Sequence, residues 1–220
     1  MPDPLDVEFK KPTRSFFTPL NILVLGVAVL PLFFTGIMMN RSGRALPVLG
    51  DAPAFALVDQ SGAPVSNASL AGTVWLASFM FSNCPDVCPR TLNRLKGTKL
   101  WLEEKRPEFI DKFRFVGFSL DPVGDTPESV KAFLTARGHD LNQWHFLLSE
   151  TSLHGLVNEG FRIGVRAGEN GMAAVHSDHV LLVDRNGKIR GFYGIGSNEG
   201  LARFHGDLDK VLKESPKTEG

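Results

Sequence analysis

Two cysteines, Cys84 and Cys88, are the residues whose type and spacing most clearly indicate chemistry, and the 220-residue chain contains no others. They follow an apolar run at residues 74–81, which predicts a buried strand. Pro85 suits the first turn of a helix, because its missing N–H would have no partner there. Cysteines four positions apart at a helix start share one face, close to the partial positive charge that favours the thiolate.

Such a cysteine pair has three interpretations. The first is a structural disulfide, although a bridge across one helical turn closes a very small loop and stabilises the fold little. The second is redox catalysis, although the common redox motif has two residues between its cysteines and this pair has three, Pro85, Asp86 and Val87. The third is a metal site, because thiolates are soft ligands that select Cu(I) or Zn(II) over hard ions.

A metal site would be tighter with a third ligand, and histidine is the first candidate. Four of the six histidines have no neighbours that mark them as ligands: His139, His145, His154 and His205. His176 and His179 differ, because they flank the start of an apolar run at residues 180–183, which we expect to pair with the cysteine-bearing strand. They are three positions apart, so in an extended chain they point to opposite faces and at most one easily faces the sulfurs. Met172 is a further soft donor, although a thioether in a Gly-rich loop more often only packs.

The composition describes one ordinary domain with an appendage. The formal net charge is zero, which argues against nucleic acid as a partner, and 43% of the residues are hydrophobic. Residues 20–39 contain no charge and are long enough to cross a bilayer as a helix. A buried core helix would need a polar face, and a cleaved signal peptide would have a shorter apolar region and a small-residue cleavage site. We therefore predict an uncleaved membrane anchor.

The anchor divides the chain into segments and orients it. Three basic residues precede the span and two follow it, which favours a cytoplasmic N-terminus and a main domain on the other side. The predicted segments are a cytoplasmic tail at 1–19, the anchor at 20–39, a linker at 40–50, the domain at 51–214 and a flexible tail at 215–220.

Within the domain, apolar runs alternate with helical patterns. Strands are predicted at 55–58, 74–81, 113–120, 145–148, 180–183 and 188–193, and helices at 85–106, 128–136, 152–159 and 198–212. Thr126 is the expected N-cap of the second helix, with Pro127 at its first position. The alternation predicts an α/β fold with a mainly parallel central sheet and a final antiparallel hairpin.

Three segments together, at residues 79–89, 118–127 and 175–187, resemble the SCO/SenC family. The resemblance covers most of residues 48–212 and includes the anchor. It implies a thioredoxin-like fold, with a mixed central sheet flanked by helices, and a copper chaperone that assists assembly of the dinuclear copper centre of cytochrome c oxidase. It also implies three copper ligands: Cys84, Cys88 and the histidine eleven positions before Gly187, which is His176.

The chain departs from the family pattern at two places. Ser82 and Asn83 stand where a threonine and a variable residue are common, and His179 is an extra imidazole, which makes it the reserve ligand. Thioredoxin-like oxidoreductases usually have a cis-proline where this chain has Asp178.

The function expected from the sequence is therefore a copper chaperone anchored in the bacterial inner membrane, with its domain on the periplasmic side. The sulfurs favour Cu(I), and the imidazole keeps Cu(II) accessible. The expected partner is the copper-binding subunit of cytochrome c oxidase or another copper chaperone. The alternatives are a thiol-disulfide oxidoreductase that reduces the recipient's cysteines and a thiol redox sensor.

Overall fold

A six-stranded sheet forms the centre of the domain. Its strands are β1 Gly50–Asp51, β4 Val74–Met80, β5 Phe113–Ser119, β6 Trp144–Leu147, β9 His179–Val183 and β10 Lys188–Gly194. They lie side by side in the order β1-β10-β9-β4-β5-β6. Two small hairpins accompany it, formed by β2 Ala56–Val58 with β3 Pro64–Ser66 and by β7 Arg166–Ala167 with β8 Ala173–Ala174. The helices are α1 Val87–Lys105, α2 Pro127–Thr135 and α3 Asn198–Lys213.

The computed structural model describes residues 45–139, 141–164 and 178–214, and the backbone of 166–167 and 173–174. The predicted N-terminal tail, the anchor at 20–39, residues 40–44 of the linker and the tail at 215–220 lie outside the described residues. No helix in the described part of the chain has both the length and the apolar character needed to cross a membrane.

The sheet is mixed, as the family resemblance implies, but it is less parallel than the alternation of strands and helices predicts, because three of its five strand pairings are antiparallel. β4 pairs in parallel with β5, and β5 in parallel with β6. β9 runs antiparallel to both β4 and β10, which form its two neighbours. All seven residues of β4 are buried, because neighbouring strands flank it and both faces of the sheet are covered. The strand that leads to the cysteines is therefore the most enclosed element of the fold.

The two faces of the sheet belong to two hydrophobic clusters. Val180 and Leu182 of β9 pack in the same cluster as Cys84 and Cys88, together with buried leucines of α1 and Phe204 of α3. Leu181 and Val183 pack in the second cluster, on the other face, with the aromatic rings of Phe79, Phe118 and Phe161. Successive side chains of a strand alternate between faces, so each residue of β9 is assigned to one side.

The helix boundaries confirm one prediction in detail and correct two others. Thr126 is the N-cap of α2, it accepts a hydrogen bond from the Ser129 amide, and Pro127 is at the first helical position. α1 begins at Val87 with Asp86 as its N-cap, so Pro85 lies just before the helix and not in its first turn. The helix predicted at 152–159 begins at residue 154, and its main part, Leu156–Gly160, is π-helical.

A buried arginine joins the two ends of the domain at the sheet edge where β10 begins. Arg190 pairs with Asp184 and Glu214 and donates to the Leu46 carbonyl at 2.7 Å. Leu49 donates to the Ile189 carbonyl beside it. In the sheet register Ile189 pairs with Val183, which pairs with Trp75 near the start of β4. The chain therefore enters the domain at the edge opposite the cysteines, which follow the end of β4.

One buried and one half-buried histidine predict that the domain loses stability in acid. Burial lowers the pKa of His139 to about 4, with the charges of Lys96 and Arg137 acting in the same direction, and burial lowers the pKa of His205 to about 4. The unfolded chain takes up these protons near pH 6.5 and the folded chain does not until about pH 4. We therefore expect the free energy of unfolding to fall between pH 6.5 and 4, measured by urea denaturation. The His139→Phe and His205→Phe variants should each lose less, and a double variant with the wild-type pH slope would contradict this.

Candidate metal centre

The two cysteines lie at a tight turn between β4 and α1. The amide of Cys84 donates to the Phe81 carbonyl at 3.3 Å, and the amide of Cys88 donates to Cys84 Sγ at 3.4 Å. The sulfurs are not joined by a disulfide, and the two residues are 8% and 3% exposed. The turn therefore places two free thiols side by side at the edge of the first hydrophobic cluster, with a backbone N–H directed at one of them.

The inner thiol is held in its protonated form by its surroundings. Burial raises the pKa of the Cys88 thiol well above its ordinary value, and the hydrogen bond and charge of Cys84 and the charge of Asp125 act in the same direction. A hydrogen bond with the Phe81 backbone opposes them only in part. A ligand that takes up the Cys88 thiolate must therefore displace a proton from a buried site.

Asp125 connects the cysteine turn to the loop that follows β5. Its Oδ1 accepts the Ser82 amide at 2.8 Å, and its Oδ2 accepts the Ser119 hydroxyl at 2.6 Å. Burial raises the pKa of Asp125, while the bonds with Ser119 and Ser82 lower it. This one carboxylate therefore joins the end of β5 to the residue two positions before Cys84.

Asp121 gives the same loop its shape. Its Oδ1 accepts the amides of Val123 at 3.2 Å and Gly124 at 2.9 Å. A Cβ at Gly124 would lie only 2.3 Å from Asp121 Oδ2, so a side chain at this position would displace the carboxylate. Asp121 thus shapes the loop, and Asp125 holds it against the cysteine turn.

The structure assigns the histidines to different places. His176 and Met172 lie outside the described residues. His179 begins β9 on the same side as Leu181 and Val183, the face away from Cys84 and Cys88, and its side chain is 53% exposed. His145 contacts the buried Asp59 on the edge strand β6, and His205 stacks on Trp101 between α1 and α3. None of these described histidines is brought to the thiols.

The donor set fits a soft cation. Within the ranges that the structure describes, no group of three or more His, Cys, Asp or Glu side chains is placed to hold a metal ion. The described part of the site is therefore a pair of thiols, which are the ligands that Cu(I) prefers. Any third ligand must come from outside the described residues or from a partner.

Asp178 occupies the place where oxidoreductases of this fold class carry a cis-proline. Its carboxylate accepts the Gly196 amide at 2.7 Å, and the peptide bonds of the described residues are all trans. Asp178, directly before β9, is therefore held by a hydrogen bond to its own domain.

The SCO1/SenC family model matches residues 50–210, which is most of the chain. The chain belongs to the SCO1/SenC family. The match confirms the resemblance that the three sequence segments suggest, and it includes the cysteine turn, the Asp121–Asp125 loop and β9. The mixed sheet and its helices accordingly form the thioredoxin-like fold expected of the family.

Known proteins agree with this assignment. The SCO1 protein homolog of Bacillus subtilis is 31% identical over 137 residues, which are 61% of this chain and 69% of the relative. The solved structure of BsSco, described as a member of the Sco family of cytochrome c oxidase assembly proteins with a disulfide switch, is 26% identical, covers 78% of this chain and 100% of its own, and superposes with a TM-score of 0.67. Bradyrhizobium japonicum ScoI with copper bound is 24% identical over 73% of this chain and 99% of its own, with a TM-score of 0.58, and shows the shared fold.

The unequal burial of the thiols predicts that they react in a fixed order. We expect iodoacetamide at pH 8 to alkylate Cys84 at least about tenfold faster than Cys88 in the reduced protein, because Cys88 is more buried and holds its proton. Mass spectrometry of the digested protein over time measures both rates. The Cys88→Ser variant should keep the fast phase and Cys84→Ser should lose it; equal rates in the two variants would contradict the assignment.

The two bonds of Asp125 predict a structural cost when it is truncated. The Asp125→Ala variant leaves the Ser82 amide and the Ser119 hydroxyl without their acceptor, so we expect a loss of about 1–3 kcal/mol in the free energy of unfolding. Asp125→Asn keeps one oxygen and should lose less. Guanidinium denaturation measures both, with Asp111→Ala, at an exposed position, as the control. A cost for Asp125→Ala no larger than the control's would refute the bracing role.

Proposed function

We propose that this protein is a membrane-anchored copper chaperone that delivers copper to the dinuclear copper site of cytochrome c oxidase. The observation on which this proposal rests is the pair of unlinked, adjacent and buried thiols of Cys84 and Cys88. Two sulfurs at one turn bind Cu(I) far more tightly than they bind hard metal ions. The presence of copper in the solved structure of a protein with the same fold supports this choice.

His176 is the proposed third ligand. It precedes β9, the strand that pairs directly with β4. His179 falls on the face of β9 opposite the cysteines, and a residue three positions earlier in an extended chain falls on the other face. This reasoning favours His176 over His179, and it agrees with the position that the family resemblance implies.

The proposed location is the bacterial inner membrane, with the domain at residues 51–214 on the periplasmic side. The uncharged run at 20–39 supports a single anchor, and the excess of basic residues before it supports a cytoplasmic N-terminus. The recipient is the copper-binding subunit of the oxidase, or a second copper chaperone, to which copper passes by exchange of ligands.

Oxidation of the dithiol would switch copper binding off. Exchange with a disulfide of the recipient would pass two electrons and two protons from Cys84 and Cys88 to the recipient's cysteines, and would leave a Cys84–Cys88 disulfide with no thiolate to bind the metal. The disulfide switch of the related BsSco supports such a state. The same pair of thiols also favours a second candidate function, reduction of the recipient's own disulfide before copper arrives.

Copper titration of the reduced full-length protein in detergent, without oxygen, tests the proposal. We expect one Cu(I) per chain in the wild type, no stoichiometric site in Cys84→Ser or Cys88→Ser, and at least about tenfold weaker binding in His176→Ala. His179→Ala is the matched control and should bind as the wild type does.

Two outcomes would contradict this account. Wild-type protein that binds no copper would exclude the chaperone function. Unchanged copper affinity in His176→Ala, together with efficient reduction of a disulfide in the recipient domain, would favour the thiol-disulfide oxidoreductase.

A further inference from the structure

A groove of about 560 Å³ lies beside the cysteine turn. One wall is the face of α1 that carries Val87, Arg90, Thr91 and Arg94, and the other wall is formed by Asp178, before β9, and Gly196, after β10. We call it the α1 groove. Val87, at one end of its lining, is the residue before Cys88 in the chain, and neither cysteine is among the lining residues.

The spacing of the α1 residues gives the groove its direction and length. Positions 87, 90, 91 and 94 are three or four apart, and therefore follow one face of the helix. From Val87 to Arg94 the helix rises by about 10 Å, which is the length of about three residues in an extended chain. The groove thus has the dimensions of a short extended segment that runs away from the thiols.

Arg94 brings a positive charge to this groove, whose lining also includes the carboxylate of Asp178. Its guanidinium donates to Asn198 Oδ1 at 2.7 Å and to the Gly196 carbonyl at 3.2 Å, which are both uncharged acceptors. No carboxylate among the described residues forms an ion pair with it. The two bonds hold the guanidinium across the groove and leave its charge available to an incoming anion.

Arg90 is one helical turn closer to the thiols and is easily recruited. It pairs with Asp86 at 2.8 Å, but the two side chains are 71% and 66% exposed, and an exposed pair of this kind contributes little and exchanges readily. The acidic side chain of the groove, Asp178, is already engaged by the Gly196 amide and lies 3.5 Å from His179 Nδ1. The α1 wall therefore presents two cations to the groove.

We infer that the α1 groove docks a short, extended, carboxylate-bearing segment of the copper recipient, and this inference rests on the proposed function. One carboxylate of the recipient pairs with Arg94 and a second carboxylate, or the same one, displaces Asp86 from Arg90. The segment then ends at Val87, the neighbour of Cys88 in the chain, so docking brings the recipient's own metal ligands close to the cysteine turn. The chain carries no net charge, so this local charge supplies the steering that the whole molecule lacks.

Charge reversal in the groove tests the inference. We compare the wild type, Arg90→Glu/Arg94→Glu and a matched control, Lys105→Glu/Lys112→Glu, whose exposed lysines lie at and beyond the other end of α1. Copper-loaded full-length proteins in detergent are mixed with the metal-free copper-binding domain of the oxidase subunit from the same organism. We expect the groove variant to transfer copper at least fivefold more slowly at about 20 mM salt, with the difference lost at about 0.5 M salt. The control should transfer as the wild type does.

Two further measurements separate this inference from the proposed function. Copper stoichiometry is determined for each variant before mixing, and binding of the recipient domain to the metal-free proteins is measured by fluorescence anisotropy. Recipient binding that depends on the arginines supports docking even if no copper is bound. Equal recipient binding by the groove variant and the control overturns the inference, and so does loss of binding to phosphatidylglycerol vesicles with unchanged transfer, which would assign the arginines to the membrane.

Discussion

The buried carboxylate of Asp125 is the interaction on which the position of the thiols depends. Strand pairing fixes β4 and β5 against each other, but the hydrogen bonds of the β4 ladder stop before the cysteines, and α1 begins only at Val87. Between these elements, Ser82 is held by Asp125, which is itself held by Ser119. Because an unsatisfied buried carboxylate would be costly, the loop after β5 and the cysteine turn are stable only together.

The alternation of β9 imposes a second constraint on the site. Val180 and Leu182 pack in the same hydrophobic cluster as the cysteines, and Leu181 and Val183 pack in the cluster on the other face of the sheet. A shift of β9 by one residue would move each side chain into the opposite cluster. A histidine at the start of this strand is thereby assigned to one face by its position alone. The same packing that stabilises the sheet therefore places His179 on the face away from the thiols.

Short sequence patterns predicted those strands and helix ends that depend on interactions between residues close together in the chain. The apolar runs gave β4, β5 and β9, and Thr126 with Pro127 marked the start of α2, because capping and burial act within a few residues. The start of α1 at Val87 and the π-helical segment at Leu156–Gly160 escaped prediction, since packing overrides propensity there. The bond from Asp125 to Ser82 spans 43 residues, and Arg94 meets Gly196 across 102, so no sequence pattern could reveal either contact.

The burial of Cys88 bears on how a thiol pair can serve as a carrier. A buried thiol that keeps its proton reacts slowly with oxidants and with stray metal ions, because only the thiolate is nucleophilic. In the proposed chaperone, copper would displace that proton, so binding would be coupled to proton release and would weaken as the pH falls. Release to the proposed recipient would be coupled to the reverse step, since a proton that returns to Cys88 removes one ligand. On that proposal, the burial that slows oxidation of the free thiol would also favour release of the metal.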